Sequence, residues 1–145
     1  MKLFIVCIFS LALSQCHFFN RSIDPSIKEI QTSEASIPES GDLFRYVIFN
    51  SEINACIQLD RVSLNGKERR VLSSADICKI ELDGKTYSLE KNHFREFEID
   101  DISWNDFTIE VNAAFTASEP SSPSLQIECS ADALDKNPFL KCKLD

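Results

Sequence analysis

The chain has 145 residues, 43% of them hydrophobic, and a formal net charge of −8. That length suits one domain with a tail, and the apolar share is too high for a wholly disordered chain. The acidity argues against nucleic acid as a partner and rules out broad electrostatic adhesion to anionic lipid, so any bond to a membrane has to be hydrophobic.

Residues 1–15 have the build of an export signal: Lys2 and the free amine, an apolar stretch from Leu3 to Leu13, then Ser14-Gln15. The stretch is shorter than the about 20 apolar residues of a bilayer span, and no later segment comes close. Ala12 and Ser14 would suit an ordinary signal peptidase cutting after Ser14. The sequence Leu13-Ser14-Gln15-Cys16 resembles the lipobox of bacterial lipoproteins, with Leu three places and a small residue two places before the Cys. Gln15 stands where Gly or Ala is usual, which makes the motif similar to the looser lipoboxes of spirochaetal lipoproteins. The resemblance covers residues 1–16. It implies fatty acyl groups, palmitate among them, on Cys16, cleavage just ahead of it, and anchorage in a bacterial membrane, at the outer membrane or cell surface rather than the inner membrane.

Cysteine parity points the same way. With residues 1–15 set aside, Cys16, Cys56, Cys78, Cys129 and Cys142 remain, an odd number for an oxidising compartment. Lipidation of Cys16 leaves four that can pair completely. The triplet Asn20-Arg21-Ser22 would be a glycosylation acceptor in a eukaryotic source.

Residues 17–41 contain Pro25, Pro38 and six Ser or Thr without a sustained period, and read as a flexible linker. Ile23, Ile27 and Ile30 would fit one short helical turn. From residue 42 to 145 the pattern is period two and predicts a single β domain. Phe44 to Phe49 is apolar on both sides, as in a central strand covered twice. Ile57 and Leu59 are out of phase with Val62 and Leu64, which predicts a bulge near Asp60-Arg61. Asn65-Gly66 has the chemistry of a hairpin turn, yet its register would set Val62 and Leu64 against Arg69 and Lys67. The basic knot Lys67, Arg69 and Arg70 reads as a solvated strand face, with a ligand patch as the alternative.

Cys78, Ile80 and Leu82 alternate with polar residues up to Asp83-Gly84, the strongest short hairpin signal. That turn places Ile80 opposite Tyr87 and Cys78 opposite Leu89. Residues 93–99 alternate poorly. Phe107 to Asn112, Leu125 to Cys129 and Leu140 to Leu144 alternate cleanly, with Pro120 and Pro123 marking a loop between the first two. About eight strands and no long amphipathic helix predict an all-β fold, a small antiparallel β-sandwich of immunoglobulin-like arrangement, with a small β-barrel as the alternative.

Placing Cys129 opposite Cys142 also sets Ile127 opposite Leu144, so this bridge is expected and leaves Cys56 with Cys78. No closely spaced cysteine pair suggests zinc, and no metal or cofactor is expected. His17 falls in the linker, and His93 has no partner or motif to make it a catalytic base. The run from Glu98 to Asp106 concentrates carboxylates without the spacing of a calcium loop. Asp100, Asp101, Asp106 and the single Trp, Trp104, form a possible binding surface, although core packing is the leading role for Trp104 and a sugar- or partner-stacking surface the alternative.

These features predict a membrane-anchored, non-catalytic binding domain with a protein partner in the envelope or a host. The alternatives are a structural subunit of envelope assembly, a secreted binding protein cut after Ser14, and a hydrolase using two carboxylates of the 98–106 run.

Overall fold

The period-two patterning becomes ten strands in two sheets. The computed structural model describes residues 24–50, 55–64, 68–90 and 93–145. Residues 1–15, Cys16, His17, the Asn20-Arg21-Ser22 triplet, Ile23, the Asn65-Gly66 turn and Lys67 lie outside the described residues. The first sheet is an antiparallel meander of β1 (Ile27–Ser36), β2 (Leu43–Phe49), β3 (Ile57–Ser63) and β4 (Arg70–Ile77). Cys78 alone separates β4 from β5 (Lys79–Leu82), the first strand of the second sheet. The others are β6 (Lys85–Ser88), β7 (Phe94–Asn105), β8 (Thr108–Ala117), β9 (Ser124–Asp132) and β10 (Leu140–Leu144), in the order β6-β5-β10-β9-β8-β7.

The two sheets close on one core. Phe44, Tyr46, Ile48, Ile57 and Leu59 from the first meet Ile80, Ile102, Ile109, Val111, Ile127 and Leu140 from the second. Phe44 stands edge-on to Phe107 at 6.1 Å, and Tyr46 stacks on Trp104 at 5.8 Å. The architecture is therefore the expected β-sandwich. Its connectivity is not immunoglobulin-like, because each sheet is drawn from one continuous half of the chain and the only change of sheet between consecutive described strands is at Cys78. One pairing, β5 with β10, is parallel, with Leu140 opposite Ile80 and Cys142 opposite Leu82.

The six-stranded sheet carries something of the barrel alternative. Laid flat, its edge strands β6 and β7 would stand about 24 Å apart at about 4.8 Å per strand. Six residue steps from Ser88 to Phe94 span at most about 21 Å. The sheet curls, and the rings of Tyr87 on β6 and Phe94 on β7 come within 5.6 Å.

The hairpin at Asp83-Gly84 forms as expected: both residues have positive φ (50° and 73°), Ile80 pairs with Tyr87, and the Leu89 amide donates to the Cys78 carbonyl at 2.8 Å. The poor alternation of residues 93–99 has a physical source in β7, which shifts register between Phe94 and Glu96 and again between Ile99 and Asp101. Pro120 and Pro123 fall between β8 and β9.

The linker and helical-turn expectations are corrected. Residues 27–36 are not linker but an edge strand, and Ile27 and Ile30 lie on its outer side rather than in a helical turn. The inward residues Glu29 and Gln31 are polar because they face the Tyr46 hydroxyl, which hides the strand from any hydrophobic count. The bulge expected near Asp60-Arg61 is present as a register shift between Arg61 and Val62 against β4, with Leu72 the extra residue, while β3 keeps its register with β2. Val62 pairs with Val71 rather than Arg69, two residues further on than a tight Asn65-Gly66 turn would allow.

The two outer faces differ in chemistry. Across the six-stranded sheet, register lines up Ser103, Glu110, Ser130, Lys141, Glu81 and Thr86 in one row, and Asp101, Asn112, Glu128 and Lys143 in the next. Across the outer side of the four-stranded sheet run Ile27 and Phe49, then Ile30, Val47, Gln58 and Asp76. Beyond them lie Thr32, Arg45, Asp60 and Ser74, then Leu43, Val62 and Val71. The first two rows are wholly polar; the second face mixes apolar residues on every strand with a polar row, and its central Val47, Asp60 and Val62 are buried.

Candidate binding groove between the sheet edges

The edges of the two sheets, β1 and β7, meet along a seam that polar groups organise. Tyr46 is fully buried, and its hydroxyl donates to Glu29 Oε1 at 2.7 Å, with Gln31 Oε1 also at 2.7 Å and the Ile102 carbonyl at 3.3 Å. Burial, then the Glu29 contact and the nearby charges of Glu29 and Asp101, push the Tyr46 hydroxyl well above its ordinary pKa, so it stays a donor. Trp104 donates its indole N–H to the Gln31 carbonyl at 3.4 Å, and Lys28 Nζ reaches the Ile99 carbonyl at 3.4 Å. An exposed edge strand invites unwanted pairing, and Trp104 from β7 takes up the Gln31 carbonyl on that edge of β1.

Beside this seam lies a groove of about 230 Å³, lined by Gln31, Thr32, Glu34 and Ala35 from β1 and by Ser103, Trp104 and Asp106. Asp106 occupies the two-residue turn between β7 and β8 with φ 52°, a backbone state that short polar side chains tolerate. Trp104 is half-buried: one face rests on Tyr46, and the remainder forms the groove wall. The core-packing role weighed for it from sequence is met on the Tyr46 side.

The four residues of the expected surface are not brought together. Trp104 and Asp106 share the groove. Asp101 is exposed on the outer face opposite Asn112, and Asp100 is exposed at the β7 bulge. There the Gln126 amide, with its nitrogen turned inward, donates to Asp100 Oδ2 at 3.1 Å and to the Ala113 carbonyl at 3.3 Å. Asp101 and Asp106 are separated by about 16 Å along the strand, well beyond the about 5–9.5 Å between the paired carboxylates of glycoside hydrolysis. His93 accepts a hydrogen bond from the Ser88 amide at 3.1 Å and stands edge-on to Tyr87, which is a loop-fastening role. Arg69 and Arg70 are exposed.

Both expected disulfides are formed, Cys129–Cys142 and Cys56–Cys78. Cys129 and Cys142 are direct cross-strand partners on β9 and β10, with Ile127 opposite Leu144 as the alternation required. Glu90 lies within 4.8 Å of the Cys56 and Cys78 sulfurs, but those sulfurs are bonded to each other and offer no thiolates to a metal.

Sequence reasoning missed a buried ionic row on the four-stranded sheet. Asp60, fully inaccessible, accepts from Arg45 Nε at 3.0 Å, from Arg45 Nη2, from Gln58 Nε2 at 2.8 Å and from Ser74 Oγ at 2.5 Å. The signal was present in the parity of Ile57, Leu59 and Val62, which leaves Asp60 on the same face as Val62. Arg61, pointing to the opposite side, clamps Asp42 at 2.8 Å and so fastens the β1–β2 connection. Comparison with protein-family models, with curated proteins and with solved structures finds no match to this chain.

Proposed function

We propose that this chain is an exported protein, anchored by lipid on Cys16, that displays a non-catalytic β-sandwich for binding a protein partner in the envelope or on a host. The observation that carries the binding part is the groove between β1 and β7, whose lining holds the single Trp together with two acidic side chains, Glu34 and Asp106. An aromatic wall with a carboxylate rim suits an extended segment that offers a basic side chain with an apolar stem. The anchor is supported by the Leu13-Ser14-Gln15-Cys16 motif and by the pairing of all four domain cysteines with one another, which fits a separate use for Cys16. Each buried CH₂ of an acyl chain contributes about 0.8 kcal/mol, and two or three chains hold a protein firmly where one does not. No basic patch is then needed.

Two measurements test this. Intact mass of the native protein should show an acylated chain beginning at Cys16, and Cys16→Ala should move the protein from the detergent to the aqueous phase. An unmodified soluble chain beginning at Gln15 ends the anchor reading. For the groove, partner captured from solubilised membranes should bind the Glu34→Lys and Asp106→Lys variants at least tenfold more weakly and shift Trp104 emission in the wild type. Unchanged affinity in both variants rejects the groove.

A further inference from the structure

We infer that the end of the sandwich where β1 begins is a lipid-facing surface, and that a groove there seats a zwitterionic phospholipid headgroup. The inference rests on the Cys16 anchor proposed above. The chain is fixed beside the end of β2 from Asp24 onward. The Asn50 backbone amide donates to the Ser26 carbonyl at 2.9 Å, its side-chain amide to the Pro25 carbonyl at 3.1 Å, and the Ile27 amide to the Asp24 carbonyl at 2.9 Å. Eight residue steps lead from Cys16 to Asp24, and whatever their course they reach at most about 28 Å. A linker running as far as Gly41 would have reached about 90 Å. The β1 strand thus brings its own end of the domain down to the bilayer that holds the acyl groups.

That end carries a groove of about 160 Å³ between the start of β1, the end of β2 and the first half of β7. Phe49, Phe97 and Ile99 supply its apolar lining and are half-buried; Lys28, Glu96 and Glu98 are its charged residues, and all three are exposed. The volume is below the about 300–1,000 Å³ of an ordinary small-molecule pocket, so the groove takes one small group rather than a whole free ligand. Charge selects that group. An anionic headgroup would meet two carboxylates. A zwitterionic one offers its phosphate to the Lys28 ammonium and its own ammonium to Glu96 or Glu98, while its uppermost acyl carbons lie against the apolar lining. The Lys28 Nζ already holds the Ile99 carbonyl at 3.4 Å, a contact that leaves its other protons for phosphate. So small a site binds weakly by itself, and the short tether supplies the local concentration.

The same geometry turns the Trp104 groove away from lipid. From Lys28 to Glu34 along β1 is about 20 Å, and from Ile99 to Trp104 along β7 about 16 Å. With the start of β1 on the membrane, Trp104, Glu34 and Asp106 stand at the far end of the β1–β7 seam, open to a partner arriving from the aqueous side.

Quenching of tryptophan emission tests the inference, because the chain has a single Trp. The acylated mature protein is reconstituted in vesicles of phosphatidylethanolamine and phosphatidylcholine brominated on the upper acyl carbons, and its emission is compared with that in unbrominated vesicles. The wild type, reporting from Trp104, should keep nearly all of its emission. The Trp104→Phe/Phe49→Trp protein should lose more than half. Arg95→Trp in the same background, at an exposed position next to Glu96, stands in if circular dichroism shows that Phe49→Trp does not fold. Adding Lys28→Glu should remove most of the quenching at the Phe49→Trp or Arg95→Trp reporter while detergent partitioning stays unchanged. Equal quenching at the two ends, or deeper quenching of Trp104, overturns the inference. Quenching that survives Lys28→Glu in full shows the tether acting alone and overturns the headgroup site. Intact mass separates the two readings: an acylated chain with an unquenched reporter ends this inference only, whereas a chain without acyl groups ends the anchor reading and this inference with it.

Discussion

Replacing Asp60 tests the ionic row at the centre of the four-stranded sheet. Asp60→Ala leaves the Arg45 guanidinium, the Ser74 hydroxyl and the Gln58 amide without their common acceptor. Breaking a buried ion pair from one side costs about 3–5 kcal/mol. The Arg45 side chain is 26% exposed and regains some water, which favours the lower end, about 3 kcal/mol. For a domain of this size each kcal/mol moves Tm by about 3–6 °C, so a fall of about 10–15 °C is expected. Asp60→Asn keeps the shape but turns an amide toward the guanidinium, and should cost about 2 kcal/mol. The pH dependence is a sharper check. Burial acts against the Asp60 carboxylate most strongly, but the Ser74, Arg45 and Gln58 donors together outweigh it and hold the carboxyl below its ordinary value. A depressed folded-state pKa adds stability that is complete above the unfolded value of about 3.9 and is lost as pH falls through the folded one. The gap between wild type and Asp60→Asn should therefore be constant from pH 7 to about pH 5 and narrow below about pH 4. Urea denaturation followed by Trp104 emission at pH 7, 5 and 3.5 measures it. An Asn variant within about 0.5 kcal/mol of wild type at pH 7, or a gap of equal size at pH 3.5, would refute this account of the row.

Reducing either bridge by paired Cys→Ser substitution should cost about 3 kcal/mol in the chain-entropy account, since the bridges span 13 and 22 residues; non-reducing peptide mapping should recover only the Cys129–Cys142 and Cys56–Cys78 pairs. Gly84→Ala should destabilise by about 1 kcal/mol, because Gly84 sits at φ 73° with open space around it and the penalty is conformational alone; a stabilised variant would contradict the turn geometry. His93→Gln should cost under about 1 kcal/mol, the loss of one exposed hydrogen bond from the Ser88 amide, and should leave partner binding intact; a large loss of any measured activity would contradict its role as a loop fastener.

What was legible in the sequence is what local physics encodes. Around Asp83-Gly84 the turn residues and the alternation demand the same register, and β8, β9 and β10 each expose one face to water and one to the core. Cys129 and Cys142 follow from that alternation. β1 was illegible because its inward positions hold Glu29 and Gln31, exposed polar residues fixed by a hydroxyl that lies 15–17 residues away in sequence. The parallel pairing of β5 with β10 joins residues about 60 positions apart and leaves no local trace. At the groove, Trp104 and Asp106 were found because both lie at the end of one hairpin. Their partners Thr32 and Glu34 were not, since they come from a segment that reads as tether.

The strand order also has a temporal meaning. Sheet one is a meander whose neighbours are adjacent in sequence, so it can assemble as the chain emerges. The second sheet cannot. The β5–β6 hairpin and the β7–β8–β9 meander present facing edges, and only β10 joins them, pairing with β5 on one side and with β9 on the other. Until that last strand arrives, two rows of backbone donors and acceptors stand open, and the apolar interior of a half-built sheet is wet. Such edges are templates for pairing between molecules. A chain whose synthesis or export stops before residue 140 should be an aggregating species rather than a loosened native one, and the five residues from Leu140 to Leu144 act as the closing stave of the whole structure.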